Sequence, residues 1–169
     1  TPDFVEINSQ NKDKIPEVKL PAVVKPPREG STVGISIVEK SEELITAIRK
    51  AFYYGEEVLV EQYIKGKELT IGILDGKALP AIEIIFPGKT YDYDAKYVHK
   101  NGDTKYVCPP QNIPQETLDR AAETALKLYH AINGRDMMRV DIICRNNKEL
   151  FVLEVNTIPG FTDSSLLPK

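Results

Sequence analysis

Four polar residues interrupt the apolar runs on either side of a polar tip near the end of the chain. In MRVDIICRNNKELFVLEVN (residues 138–156) they are Arg139, Asp141, Glu154 and Asn156. Two strands about a tip at Asn147–Lys148 make this segment read as a hairpin. Counting back from that tip sets Glu154 opposite Asp141 and Asn156 opposite Arg139. Side chains alternate faces along a strand. The four polar residues therefore share one face, while Val140, Ile142, Cys144, Phe151, Leu153 and Val155 share the other. Directly opposed carboxylates lie about 4.5–5.5 Å apart at Cβ and repel each other. The pair needs a cation or a raised pKa on one member. Three oxygen-bearing side chains with no His or Cys beside them suit a hard ion, Mg²⁺ or Mn²⁺. The alternative is that Arg139 merely neutralises both acids as an ion pair. Asn156 in register, followed by the turn formers Pro159 and Gly160, favours the metal.

Mg²⁺ held by few carboxylates normally shares its shell with phosphate oxygens. The loop REGSTVG (residues 28–34) joins two strands and could cradle phosphates with its backbone N–H groups and with Ser31 and Thr32. Lys25, ending the preceding strand, could add a point charge. It is not a P-loop, because no Gly-Lys-Ser/Thr follows and no helix opens there; taken alone, it reads equally as an ordinary hairpin connection. In LVEQYIKGKE (residues 59–68), an apolar strand turns polar at Glu61 and could offer its backbone edge to a flat heterocycle. Glu68 could accept hydrogen bonds from ribose hydroxyls, and plain solvent exposure is the alternative for both acids.

These residues need a frame. A chain of 169 residues can bury one sizeable core or two small lobes. The net charge of −3 lacks the basic excess of a nucleic-acid binder. No apolar run approaches the roughly 20 residues of a membrane span, and TPDFVEINSQ has no basic-then-apolar signal pattern. The two cysteines have no CxxC spacing, so a reducing cytoplasm fits. Strands are predicted at Phe4–Ile7, 20–26, 33–39 and 57–64, and as a pair over 68–85 about an Asp75–Gly76 turn. A helix with Ser41 as N-cap buries Leu44, Ile45, Ile48 and Phe52. A second helix over 115–132 turns Leu118, Ala122, Ala125, Leu126 and Tyr129 inward. Residues 87–104 have no clean period and read as a long functional loop. The pattern is α+β in two lobes, residues 1–66 and 67–169. Cys144 is expected in the core, and His99 and His130 in solvent.

Together, VVKPPREGSTVGISIV, VEQYIKGKELTIGIL, YDYDAKY, MRVDI and LEVNTIPGFTDSSLLPK, in this order, resemble the D-alanine–D-alanine ligase family of ATP-grasp enzymes from about Leu20 to Lys169. The resemblance implies an ATP-grasp fold, two α/β lobes with antiparallel sheets gripping ATP between them. It also implies ATP-dependent joining of two D-alanine molecules through an acyl phosphate, for peptidoglycan precursor synthesis. By resemblance, Lys25, Ser31 and Thr32 would serve the ATP phosphates, Glu61, Tyr63 and Ile64 the adenine, and Glu68 the ribose. Lys96 and Tyr97 would sit in a mobile loop, Lys96 reaching phosphate. Asp141, Glu154 and Asn156 match ligands of two Mg²⁺ ions, with Mn²⁺ an alternative. Arg139 and the Gly160 N–H match groups that stabilise the tetrahedral intermediate, and Ser165 and Leu166 the pocket of the second D-alanine. The family's N-terminal α/β domain and terminal helix have no counterpart here, so the chain is expected to be the ATP-grasp part alone, ligating poorly by itself. A cytoplasmic homodimer is the expectation for the full-length enzyme. The alternatives are D-lactate or D-serine as second substrate, another carboxylate–amine ligase, or a nucleotide-binding fragment without activity.

Overall fold

A computed structural model describes residues 1–8, 10–11, 17–30, 32–86, 104–163 and 165–169. It divides into two compact units, residues 2–63 and residues 64–86 with 104–169. Expectations for the 87–103 stretch, including Lys96, Tyr97 and His99, lie outside the described residues, as does Ser31.

The first unit is a four-stranded antiparallel sheet in the order β1-β4-β2-β3, built from β1 (Phe4–Asn8), β2 (Ala22–Lys25), β3 (Ser36–Val38) and β4 (Glu57–Gln62). Helix α1 (Ser41–Phe52) covers one face. Leu44, Ala47, Ile48 and Ala51 bury against Ala22, Val24, Val58 and Val60, which alternate along β2 and β4. The helix differs in detail from expectation. Lys40, not Ser41, is the N-cap, and the Glu43 carboxylate reaches back to accept the N–H groups of Glu39 and Lys40 at 3.1 and 3.3 Å. Ile45 is exposed, because the buried stripe runs through Leu44, Ala47, Ile48 and Ala51 at helical spacing and Ile45 lies to one side of it.

The second unit holds a six-stranded sheet: β10-β9-β5-β7-β8, with β6 paired to β5. Its strands are β5 (Lys67–Leu74), β6 (Lys77–Ala78), β7 (Ile82–Ile85), β8 (Lys105–Val107), β9 (Met137–Arg145) and β10 (Glu149–Asn156). Asp75 and Gly76 turn β5 into β6 with φ of 48° and 71°, the left-handed pair that a tight hairpin requires. Pro80 then interrupts the expected second strand, so β6 stops after two residues and β7 pairs further along β5. Helix α2 (Gln115–Ala131) packs on one face, with Ala121, Ala125 and Tyr129 buried against Leu69, Ile71, Ile73, Met138, Val140 and Ile142. Leu118 and Leu126 lie at its margin, and Thr117 is buried instead of Ala122. The Thr117 hydroxyl donates to the Asn147 carbonyl at 2.9 Å and Arg120 to that of Lys148 at 3.2 Å, so the helix anchors the β9–β10 tip. Among the described residues no helix is long and apolar enough to cross a membrane.

Candidate active site

The β9–β10 hairpin sets Glu154 opposite Asp141, Val155 opposite Val140 and Asn156 opposite Arg139. It reaches that register by a different route from the one expected. The tip is one residue earlier: Asn146 and Asn147 adopt φ of 53° and 55°, and the Lys148 N–H donates to the Arg145 carbonyl at 3.0 Å. Leu150, Phe151 and Val152 therefore face Cys144, Ile143 and Ile142, and a bulge between Val152 and Glu154 restores the pairing at the site. On the tip side of the bulge the faces are exchanged. Leu150 and Val152 pack on the core, whereas Phe151, expected in the core, lies under the Arg145 guanidinium at 4.7 Å.

Asp141 is the centre of the cluster and is 7% exposed. Arg139 grips it with two hydrogen bonds, Nε to Oδ1 at 3.0 Å and Nη2 to Oδ2 at 2.9 Å. The Asn156 Nδ2 donates to Asp141 Oδ2 at 3.2 Å and to Glu154 Oε1 at 3.1 Å. Arg139 Nη2 stands 3.8 Å from Glu154 Oε1. Burial works to raise the Asp141 pKa, but the hydrogen bonds and charge of Arg139, with the Thr70 and Glu154 side chains, outweigh it and hold the carboxyl below its ordinary value. Arg139 does neutralise an acid, so the ion pair and the cation site are not exclusive readings. The donor set fits a hard ion: a buried ionised carboxylate, a more exposed one, and an amide whose oxygen becomes a ligand if the group turns over. Among the described residues no group of three or more His, Cys, Asp and Glu is placed to hold a metal, and here the third donor is an amide.

The same face of the second sheet carries further members. Glu68, Thr70 and Gly72 stand opposite Ile143, Asp141 and Arg139 in the β5–β9 ladder, so all six side-chain positions share a side. Thr70, which sequence reasoning missed, donates its hydroxyl to Asp141 Oδ1 at 2.6 Å. Gly72 explains how the C-terminal segment reaches this face: a Cβ there would fall 2.6 Å from Leu167 Cδ1, so the missing side chain is the room that Leu167 fills. In that segment the Ser165 Oγ accepts the Thr162 N–H at 3.0 Å and lies 2.9 Å from the Thr162 hydroxyl. A Cβ on Gly160 would come within 2.8 Å of Ser165 Oγ. Leu166 is buried, while Ile158 and Phe161 are exposed.

In the first unit, Lys25 and Glu61 meet. Their strands are neighbours, both side chains leave the sheet on the side away from α1, and Lys25 Nζ lies 2.8 Å from Glu61 Oε2 with little exposure of either. Thr32 holds a φ of 65° in the loop before β3, and its carbonyl accepts the Ile35 N–H. Tyr63 is half-buried and donates its N–H to the Pro21 carbonyl at 3.2 Å. Ile64, in the second unit, is buried. Cys144 is a core thiol whose pKa burial pushes up, and His130 is exposed.

Two antiparallel units, the second with two carboxylates and an amide converging on its open face, are an ATP-grasp fold. Its structural neighbours include D-alanine–D-alanine ligases. The chain belongs to the family described as D-ala D-ala ligase C-terminus, whose profile matches residues 2–169. It is 44% identical over 153 residues to the D-alanine–D-alanine ligase of Geotalea uraniireducens, covering 90% of this chain and 48% of that one. The D-alanine–D-alanine ligase of Bacillus anthracis complexed with ATP superimposes with a TM-score of 0.75 at 32% identity, over 99% of this chain and 53% of that one. The VanG D-Ala:D-Ser ligase of Enterococcus faecalis does so with 0.80 at 30% identity, over 99% and 50%. The chain spans about half the length of the curated relatives it matches.

Proposed function

We propose that this chain is the ATP-handling part of a ligase that joins two D-alanine molecules at the expense of ATP. The observation that carries this reading is the cluster of Arg139, Asp141, Glu154 and Asn156, held on one sheet face by the ladder and bulge. A carboxylate is a poor acyl donor, and the γ-phosphate of ATP converts the first D-alanine into an acyl phosphate with a good leaving group. The amine of the second D-alanine then attacks, forming the peptide bond and releasing phosphate. Asp141, Glu154 and Asn156 would hold Mg²⁺ or Mn²⁺, which neutralises phosphate charge when bound. Lys25, Ser31, Thr32 and Lys96 would bind the phosphates, Glu61, Tyr63 and Ile64 the adenine, and Glu68 the ribose. Tyr97 would help exclude water from the acyl phosphate. Arg139 and the Gly160 N–H would stabilise charge on the attacked carbonyl oxygen, each worth on the order of 3 kcal/mol. Ser165 and Leu166 would seat the second D-alanine. The similarity to a D-Ala:D-Ser ligase supports D-serine as a second reading for that acceptor. Tyr97 beside Lys96 supports the dipeptide former.

The test is D-alanine-dependent ADP release by the ligase containing this chain, with the product identified by mass. Wild type is expected to make D-alanyl-D-alanine, and Glu154→Ala to abolish the D-alanine-dependent turnover. Turnover that survives Glu154→Ala overturns the reading, and a D-alanyl-D-serine product selects the second one.

A further inference from the structure

Asp141 has no acceptor position to spare. Each carboxylate oxygen offers two lone pairs. Oδ1 takes the Thr70 hydroxyl and Arg139 Nε, while Oδ2 takes Arg139 Nη2 and the Asn156 amide. A cation that uses Asp141 must therefore displace one of these donors, and they are not equally movable. Asn156 is half-buried and can offer its oxygen by turning its amide. Arg139 ends in a guanidinium on a flexible stem. Thr70 is 2% exposed, sits directly across the ladder from Asp141, and makes the shortest of the four bonds, 2.6 Å. That length is typical of a hydroxyl bound to an ionised carboxylate. Its branched side chain has few rotamers into which it can withdraw.

We propose that Thr70 is a positioning residue: it pins Oδ1 toward the sheet interior and so selects Oδ2 as the oxygen that Asp141 presents to a divalent cation. The inference rests on the cation reading of the cluster given above. Hydrogen-bond partners behind a metal ligand typically contribute about 10–100-fold to metal affinity.

The experiment is titration of the purified chain with Mn²⁺, alone and with saturating ADP against a protein-free ADP control, followed by electron paramagnetic resonance of the free ion. Wild type is compared with Asp141→Asn, Thr70→Val and Thr70→Ser, and thermal unfolding is recorded for each. Thr70→Val keeps the shape and removes the hydroxyl, so its Mn²⁺ affinity is expected to fall by about 10–100-fold. Thr70→Ser is expected to restore it, whatever either change does to the melting temperature. Should Thr70→Val not fold, Thr70→Ala carries the comparison. Full affinity in the folded hydroxyl-free variant, with affinity lost in Asp141→Asn, overturns the role of Thr70 and leaves the cation reading standing. Wild type that takes up no Mn²⁺ either alone or with ADP, or Asp141→Asn that binds as wild type does, overturns the cation reading and this inference with it.

Discussion

At the scale of single residues, the site is organised by one buried charge. Burial works to raise the Asp141 pKa, yet Arg139 and Thr70 favour the charged form and hold it below its ordinary value. Its folded pKa lies below its unfolded one, so the stability it contributes is complete above the ordinary value of 3.8 and is lost as pH falls through the depressed value. Denaturant midpoints measured between about pH 3 and 7 should therefore fall on the acid side for wild type. They should fall less steeply for Asp141→Asn, which has no proton to take up. An identical acid limb in the two proteins would show that Asp141 is not the group responsible. Thr70 was illegible in the sequence for a simple reason. Its partner is 71 positions away, on a strand whose pairing with β5 no local pattern announces.

At the scale of elements, the hairpin and the C-terminal segment do the positioning. Alternation of polar and apolar residues in 138–156 suffices to put Glu154 and Asp141 on one face, since a one-residue slip buries a charge. It does not reveal how the strands get there. A tip one residue early and a bulge near Leu153 offset each other, and the tip-side residues Leu150, Phe151 and Val152 expose the difference. The first helix was misread by one residue at its start because Lys40 caps with backbone alone while Glu43 supplies the carboxylate. Gly72 is an element-level requirement of another kind, for it admits Leu167 onto the face beside Arg139. Gly72→Ala should fold, at a cost of about 1 kcal/mol, because the first atom met is the end of a flexible side chain. It should shift the segment that carries Ser165 and Leu166, raising the KM for the second amino acid about tenfold or more while leaving that for ATP near its original value. Equal changes in both constants would argue against a role of this segment in seating the acceptor.

At the scale of the whole chain, each unit has its own apolar core, one under α1 and one under α2. Ligand that binds only the folded chain stabilises it by mass action, about 2.7 kcal/mol at one hundred times the dissociation constant. For a chain of this size that is a rise of roughly 5–10 °C in melting temperature. Calorimetry with Mg-ATP should show such a rise, and EDTA should largely reverse it. A transition unmoved by saturating Mg-ATP would place nucleotide binding outside this chain.

The bulge in β10 acts as an error check. Leu150 and Val152 on one side of it point into the core, yet Glu154 and Asn156, which have the same parity, point away. A hairpin that zipped up without the bulge would drive a carboxylate and an amide in among Leu69 and Val140 and leave Val155 outside. Burying an unpaired charge in that way costs several kcal/mol. Misaligned copies of the strand are thus rejected by the same penalty that governs the core, and a chain that has passed this inspection already carries its four polar groups in working order.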